Sequence, residues 1–402
     1  MLAPQSEYDD RIQAVRLEMA KRGLDLLVVY SGPGAMRYGQ RGHVLYLSGY
    51  EPYFGDCMLL LTRDPNHEPV LELDSAGHYS PLVTWIKDVR EPCNHTDLLK
   101  SYIADCGLTD LHIGLVGEYS MSPTLYNKML SQVDAEFILA SDIVEYLRAV
   151  KSPYEMDCMR QAGAIAYEGI KTAQQATKPG ISEAELKAEI EAVCRRHGAE
   201  AFPHYTMVTA GLDGDRAKLW WRANDGVCAS GEPWLLDFGT SYKSYCCDIA
   251  RVFTLGKPSS QLQEMFDLMY QSLLLGCEIL RPGATSTEVN DATGEAAKKY
   301  FGDNLQLIWG QDAEEGEASE WWGVGHGVGI EVHEFPFIGY DHITDDDIYR
   351  AVTLQENMVI SIEPTIYTPE TGPIQLEDQF IVTPQGGKQV SPVPFKLFEC
   401  SA

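Results

Sequence analysis

Four acidic residues interrupt apolar, strand-like runs, and they restrict the possible folds of this chain more than anything else in it. Asp237 lies in Leu235-Leu236-Asp237-Phe238-Gly239, and Asp248 in Cys247-Asp248-Ile249-Ala250-Arg251. Glu363 lies in Ile360-Ser361-Ile362-Glu363-Pro364, and Glu377 in Ile374-Gln375-Leu376-Glu377-Asp378. A lone charge in such a run is costly unless it is paired or bound to a cation. Between the two pairs, Gly325-His326-Gly327-Val328-Gly329 sets one histidine between glycines, and His333-Glu334 follows seven residues on. Each acid taken singly reads as a surface or salt-bridged strand residue, and a histidine among glycines as a loop residue. Five ordered positions sharing one cleft read instead as a cation site.

A chain of 402 residues is too long for one small core and predicts two domains. With 45% hydrophobic and 22% charged residues, the composition is that of an ordinary globular protein. A net charge of −28 argues against nucleic-acid binding, which needs clustered Lys and Arg. No apolar run is long enough to span a bilayer, and the polar, acidic stretch Met1 to Asp10 does not read as a signal peptide. A cytoplasmic location, with no membrane partner, is the expectation. Ten scattered cysteines fit reduced thiols. The adjacent Cys246 and Cys247 read as small residues alternating faces on a strand, with redox chemistry the lesser reading.

Residues 1–150 alternate strands and helices as an α/β domain does. Helices are predicted over Glu7 to Lys21 (ended by Gly23), Thr96 to Cys106 and Pro123 to Gln132. Strands are predicted over Leu24 to Tyr30, Val44 to Leu47, Met58 to Thr62, Pro69 to Leu73, His112 to Val116 and Glu136 to Leu139. No phosphate-binding glycine loop follows any strand.

Residues 151–402 hold a faint repeat. Lys178-Pro179-Gly180-Ile181-Ser182-Glu183-Ala184-Glu185-Leu186 returns as Arg281-Pro282-Gly283-Ala284-Thr285-Ser286-Thr287-Glu288-Val289. Both copies stop one helix at Pro-Gly and start another with a capping box, Ser182 to Glu185 and Thr285 to Glu288. A helix precedes each copy, about Glu155 to Thr177 and Gln261 to Leu280, and strand pairs follow. Two such units predict a pseudo-two-fold axis with a central cleft. In one half Asp237 and Asp248 sit on strands joined by Thr240 to Tyr245; in the other Glu363 and Glu377 flank a turn around Thr368 to Pro373. Four carboxylates and one imidazole suit two divalent ions such as Mn²⁺, Fe²⁺, Co²⁺ or Zn²⁺ better than a structural zinc. Two such ions roughly 3.5–4 Å apart share a bridging hydroxide and polarise a carbonyl.

Leu236-Asp237-Phe238-Gly239, Tyr245-x-x-Asp248-x-x-Arg251, Gly325-His326-Gly327-Val328-Gly329, His333-Glu334, Ser361-Ile362-Glu363-Pro364 and Leu376-Glu377-Asp378 resemble the metal-site motifs of the pita-bread metallohydrolases. That family includes Xaa-Pro dipeptidase, Xaa-Pro aminopeptidase, methionine aminopeptidase and creatinase. Leu147 to Ser152, with Glu155 and Met159-Arg160, resembles the prolidase-type hinge, and residues 1–150 resemble the creatinase-type N-terminal domain. The resemblance implies an α/β domain over 1–150 and an α+β pita-bread catalytic domain over 151–402. It implies a dinuclear site in which Asp237 binds one ion, Asp248 and Glu377 bridge both, and His326 and Glu363 complete the shell. Glu363 would shuttle the proton of the metal-bound water, and His333 would donate to the substrate carbonyl or tetrahedral intermediate. In creatinase-like relatives the N-terminal domain of one subunit caps the other's cleft, which implies a homodimer here, with Tyr50 to Asp56 as the capping segment.

Two positions depart from the peptidase pattern. Trp220-Trp221-Arg222-Ala223 stands where the family's peptidases place a histidine before a Tyr-Arg-Pro-like segment. Gln375 replaces the prolidase-type arginine two residues before the last glutamate, which removes a cation and a bidentate fork for a carboxylate. Trp220, Gln375 and His204 are therefore the candidate substrate contacts. His204, in Phe202-Pro203-His204-Tyr205, either compensates for the missing histidine or fills a structural role. Trp220 or Trp221 either holds a quaternary or sulfonium cation by cation–π attraction or packs under a loop. The leading expectation is a metal-dependent hydrolase that cleaves a short peptide through a metal-bridged hydroxide. A non-peptide hydrolase or lyase acting on a C–N or C–S bond of an osmolyte-like molecule is the alternative. A catalytically silent binding module is the third reading, and the full set of ligands counts against it.

Overall fold

The structure is a computed structural model that describes residues 2–32, 42–75, 81–212, 225–302, 324–339, 350–368 and 370–401. The chain divides into two compact units, Met1–Arg148 and Ala149–Ala402. Among the described residues no helix is long and apolar enough to cross a membrane.

The first unit is a six-stranded mixed sheet in the order β4-β3-β2-β1-β5-β6. Its strands are β1 (Leu26–Ser31), β2 (Cys57–Thr62), β3 (Val70–Glu72), β4 (Asp88–Arg90), β5 (His112–Val116) and β6 (Glu136–Leu139). Every residue of β1 is buried, because helices cover both faces of the sheet. One face carries Leu26, Val28 and Tyr30 against Leu99 and Tyr102 of α3 (His95–Asp105). Helix α1 (Gln5–Arg22) buries Ile12, Val15 and Met19 and stops at Gly23, whose φ of 71° is left-handed. The predicted strand at Val44 to Leu47 is instead a helix, α2 (Gly42–Ser48), with Ser48 Oγ bonded to the Val44 carbonyl at 2.7 Å. A short, wholly buried run has no periodicity to separate the two states, and packing against β1 and β2 decides it. Helix α4 is Pro123–Gln132, and α5 (Ser141–Ala149) and β4 had no counterpart in the expected elements.

The second unit opens with two helices, α6 (Pro153–Ala176) and α7 (Glu183–Arg196), each started by a complete capping box, Ser152–Glu155 and Ser182–Glu185. The pair recurs as α8 (Ser260–Ile279) and α9 (Ser286–Phe301), with a third box at Thr285–Glu288. Helix α6 packs on β8 (Pro233–Tyr242) and β9 (Tyr245–Leu255), which continue into a sheet with β7 (Met207–Ala210) and β17 (Phe398–Cys400). The β8–β9 ladder runs to Tyr242↔Tyr245, so the connection shrinks to Lys243 and Ser244, both at positive φ as a tight hairpin turn requires.

Helix α8 packs on a five-stranded sheet ordered β11-β10-β12-β15-β16. These strands are β10 (Gly325–Gly327), β11 (Glu334–Ile338), β12 (Val359–Ile362), β15 (Asp378–Thr383) and β16 (Gly386–Gln389). The small hairpin β13 (Thr365–Thr368) and β14 (Gly372–Gln375) extends the β12–β15 register. Beside the acids the two halves meet at a bridge in which Ala250 N bonds Glu377 O at 3.3 Å and Glu377 N bonds Ala250 O at 3.2 Å, and Val150 bridges Met358 farther off.

Behind that bridge lies Arg251, fully buried. Its guanidinium donates to Asp378 Oδ2 at 2.7 Å, to the carbonyls of Val393 (2.9 Å) and Pro394 (3.1 Å), and to the Glu377 carbonyl. Gln389 and Ser391 also donate to the Asp378 carboxylate. One cation thus ties β9 to the strand entering β15 and to the C-terminal segment. Removing one partner of a buried pair leaves the other uncompensated, at a cost of about 3–5 kcal/mol. Arg251→Ala is therefore expected to lower the unfolding free energy by about that amount in urea titrations of the cation-free chain.

Candidate metal centre

The register of the two ladders aims the acids at one another. Asp237 pairs with Ala250, and Asp248 pairs with Gly239 two residues on, so both carboxylates lie on one face of the β8–β9 hairpin. A Cβ on Gly239 would strike the Cys247 carbonyl and the Pro203 ring, so only glycine fits opposite Asp248. In the other half, Ile362 pairs with Asp378 and Thr365 with Gln375, which sets Glu363 against Glu377 in continuous register. His326 pairs with Ser361 on the same face. The glycines beside it are demanded by neighbouring strands: a Cβ on Gly325 would hit the Ser361 carbonyl, and one on Gly327 would lie 2.5 Å from that of Phe335.

The four acids and His326 converge. His326 Nε2 lies 3.5 Å from Glu363 Oε1, 3.6 Å from Glu377 Oε1 and 3.9 Å from Asp248 Oδ2. His333 Nε2 lies 4.0 Å from Asp248 Oδ2, and its ring centroid is 3.9 Å from that of His326. His204 Nε2 lies 2.9 Å from Asp248 Oδ1 and 3.9 Å from Asp237 Oδ1. Three groups have ligand atoms close enough for a shared cation: His204, Asp237 and Asp248; Asp248, His326 and His333; and His326, Glu363 and Glu377. Among the described residues no lysine or arginine forms an ion pair with Asp237, Asp248, Glu363 or Glu377.

The electrostatics are those of crowded acids offset, among the described residues, by imidazoles alone. Burial, then Glu377 and Asp248, push the Asp237 carboxyl well above its ordinary range, against the partial relief of His204. Burial and the same neighbouring acids raise Glu363 strongly, and burial and Asp248 raise Glu377. Burial opposes the His204 imidazolium, yet Asp248 and Asp237 carry its pKa up to about 9. His326 is likewise raised by Glu377 and Asp248 against its burial. His333 is held well below its ordinary value by enclosure and by the two other imidazoles. Asp237 Oδ1 and His326 Nε2 are buried without a hydrogen-bond partner, as donor atoms reserved for a cation would be. A hard, oxygen-rich set with nitrogen at its edge fits divalent transition ions.

Residues supporting the acids are also in place. Ser361 Oγ donates to Glu377 Oε1 at 2.7 Å, and Gln379 Nε2 donates to the Asp248 carbonyl at 2.5 Å. Gln375 Nε2 reaches Glu363 Oε2 at 3.4 Å and Glu377 Oε2 at 3.3 Å, so this side chain lies on the acids themselves. His333 is carried by the segment after β10, where Glu334 accepts from the Glu331 amide and from Lys151 in a buried ion pair at 3.0 Å. Trp220 and Trp221 lie outside the described residues. Cys246 and Cys247 are buried on β9 as thiols rather than a disulfide, with Cys247 in the core. The Arg251–Asp378 anchor and Gln379 went unassigned in the sequence. Arg251 and Asp378 stood inside the quoted motifs, but only their long-range partners reveal what they do.

The profile of metallopeptidase family M24 matches residues 157–384, and that of the creatinase/prolidase N-terminal domain matches residues 11–150. The chain belongs to metallopeptidase family M24. A Bacillus subtilis relative named uncharacterized peptidase YqhT is 33% identical over 274 residues, 68% of this chain and 70% of the relative. The Xaa-Pro dipeptidase of Pyrococcus furiosus is 28% identical over 356 residues, 87% of this chain and 90% of its own. The crystal structure of the X-Pro aminopeptidase of Thermotoga maritima superposes with a TM-score of 0.79 at 25% identity, covering 96% of this chain and 99% of that one. As an M24 member this chain is a metal-dependent hydrolase of peptidase type, with the pita-bread fold over its second unit.

Protonation follows from these shifts. Raised carboxylates and the raised His204 and His326 mean that the cation-free folded chain holds more protons than the unfolded one. Its stability is therefore expected to fall as pH rises from the ordinary carboxylate range, about 4, toward the raised values. Within the cluster His333, shifted down, works the other way. Cation binding displaces those protons and tightens over the same window. Melting curves from pH 5 to 8, with chelator and with added cation, are expected to diverge as pH rises.

Proposed function

We propose that this M24 chain hydrolyses short peptides of Xaa-Pro type with two divalent cations held by Asp237, Asp248, His326, Glu363 and Glu377. The observation that supports the reading is their convergence from the two sheets of the second unit, with no lysine or arginine among the described residues to neutralise them. Bound there, Mn²⁺, Fe²⁺, Co²⁺ or Zn²⁺ would supply Lewis acidity toward the scissile carbonyl and lower the pKa of water. Asp237 would hold one ion, Asp248 and Glu377 would serve both, and His326 with Glu363 would hold the other. Glu363 is the most exposed of the four acids, with 19% of its side chain accessible. It takes the proton of the attacking water and returns it to the leaving nitrogen. His333, open to solvent over 37% of its side chain, donates to the carbonyl oxygen as negative charge gathers there.

The names of the Xaa-Pro relatives support the peptide substrate. One observation favours a second reading. Gln375 sets a neutral amide against Glu363 and Glu377, so a free substrate carboxylate finds no arginine at that point. A non-peptide molecule opened at a C–N or C–S bond suits that lining. A panel of Xaa-Pro dipeptides assayed with cation-loaded enzyme separates the two. Cleavage of at least one member is expected, and Glu363→Gln is expected to cut kcat by about 10²–10⁴ with circular dichroism unchanged. Silence across the panel, with two cations bound, would leave the small-molecule reading.

We infer in addition that the chain works as a homodimer. Tyr53 and Phe54 form an edge-to-face pair with centroids 4.8 Å apart, and both are largely exposed. The Asp74 carboxylate fixes their loop by accepting from the Tyr53, Phe54 and Gly55 amides and from the Tyr50 hydroxyl. Rigidly held exposed aromatics are the kind of surface that partners cover. Light scattering is expected to give a dimer for the parent chain and a monomer for the Tyr53→Ser, Phe54→Ser double variant.

A further inference from the structure

We propose that His204 is a further nitrogen ligand, completing the cation position formed by Asp237 and Asp248. The inference rests on the two-cation reading above and extends it to a residue outside the five-residue set.

The geometry of Asp248 divides the cluster in two. Its Oδ1 faces His204, while its Oδ2 faces His326 and His333. A carboxylate shared by two cations presents one oxygen to each, so these two directions mark two positions. Donor atoms about 2.0–2.2 Å from a common ion lie roughly 3–4 Å from one another. The separations of 2.9 Å (His204 to Asp248 Oδ1) and 3.9 Å (His204 to Asp237 Oδ1) fall in that range. So do the 3.5 and 3.6 Å separations of His326 from Glu363 and Glu377. His204 is to the first position what His326 is to the second.

The placement of His204 is built into the fold. Its segment leaves α7 and runs beside β8, with Glu200 N bonded to Ser241 O at 2.9 Å and Ser241 N to Ala201 O at 3.0 Å. Pro203 then settles against Gly239, where no side chain stands in its way. That contact turns His204 inward over Asp248, and its side chain is 97% buried, the exposed remainder being 3%. Asp237 Oδ1, which it faces, is a buried oxygen with no hydrogen-bond partner. Each cation position then holds one imidazole. Nitrogen at both positions moves the preference away from Mn²⁺ and toward Co²⁺ and Zn²⁺, which gain more from imidazole.

Cobalt titration of the full, cation-free chain by calorimetry, with X-ray absorption at the cobalt edge, tests the assignment without reference to turnover. The parent chain is expected to take two Co²⁺ ions. His204→Ala is expected to weaken one of them at least tenfold, the lower end of the roughly 10–100-fold loss seen when even a supporting partner goes, and to leave the other unchanged. With enough cobalt to fill both positions, the average imidazole count per cobalt is expected to halve. His204→Gln, which keeps a donor toward Asp248, is expected to lose the same imidazole signal and serves if the alanine variant does not fold. Either variant retaining both cobalt affinities and the parent's imidazole count would overturn the role of His204 while leaving the two-cation reading intact. A parent chain that takes fewer than two ions would overturn both.

Discussion

Mutual repulsion among four enclosed carboxylates is the condition around which the second unit is built. Asp237, Asp248, Glu363 and Glu377 are held close by strand register, and no lysine or arginine among the described residues offsets them. Desolvation and like charge both work against ionisation there, so the raised acids retain protons until cations replace them. Everything nearby serves that exchange. Ser361 and Gln375 direct hydrogen-bond donors at the acids, and Arg251 spends its own charge on Asp378 behind them. A cluster unstable alone and stable with cations is the arrangement that M24 chemistry needs.

The duplicated scaffold explains how distant segments deliver these groups. Each half supplies two helices with the same capping chemistry, then a strand pair carrying two acids. Within a strand pair, side chains two residues apart share a face, so backbone pairing alone sets the spacing of the acids. Glycine acts where strands crowd: at Gly239, Gly325 and Gly327 a side chain would collide with a neighbouring carbonyl. His326 stands on β10, whereas His204 and His333 arrive from irregular segments pinned by backbone bonds near the sheets.

Much of this was legible in the sequence, because it rests on local signals. Capping boxes, Pro-Gly stops and acids in apolar runs are read directly, and each appears where it was expected. Legibility failed where tertiary packing chooses the outcome. Val44 to Leu47 is apolar throughout and so lacks the periodicity that separates helix from strand. The β8–β9 turn was read as six residues wide, yet Lys243 and Ser244 alone make it, since neither is glycine and neither signals a left-handed turn. Arg251 finds its partners more than 120 residues away, and no spacing rule reaches that far. For His204 the sequence left two roles open, and its distances to Asp237 and Asp248 give a third direction of argument.

The join between the halves beside the acids has a further meaning. Ala250 and Glu377 exchange two backbone hydrogen bonds, and both residues adjoin or belong to the acidic cluster. Structural closure and charge compensation therefore share a locus, so ions bound there would act as a clasp whose fastening also helps to seal the protein architecture. Starvation for trace elements would, on this logic, loosen the polypeptide before it merely silenced it.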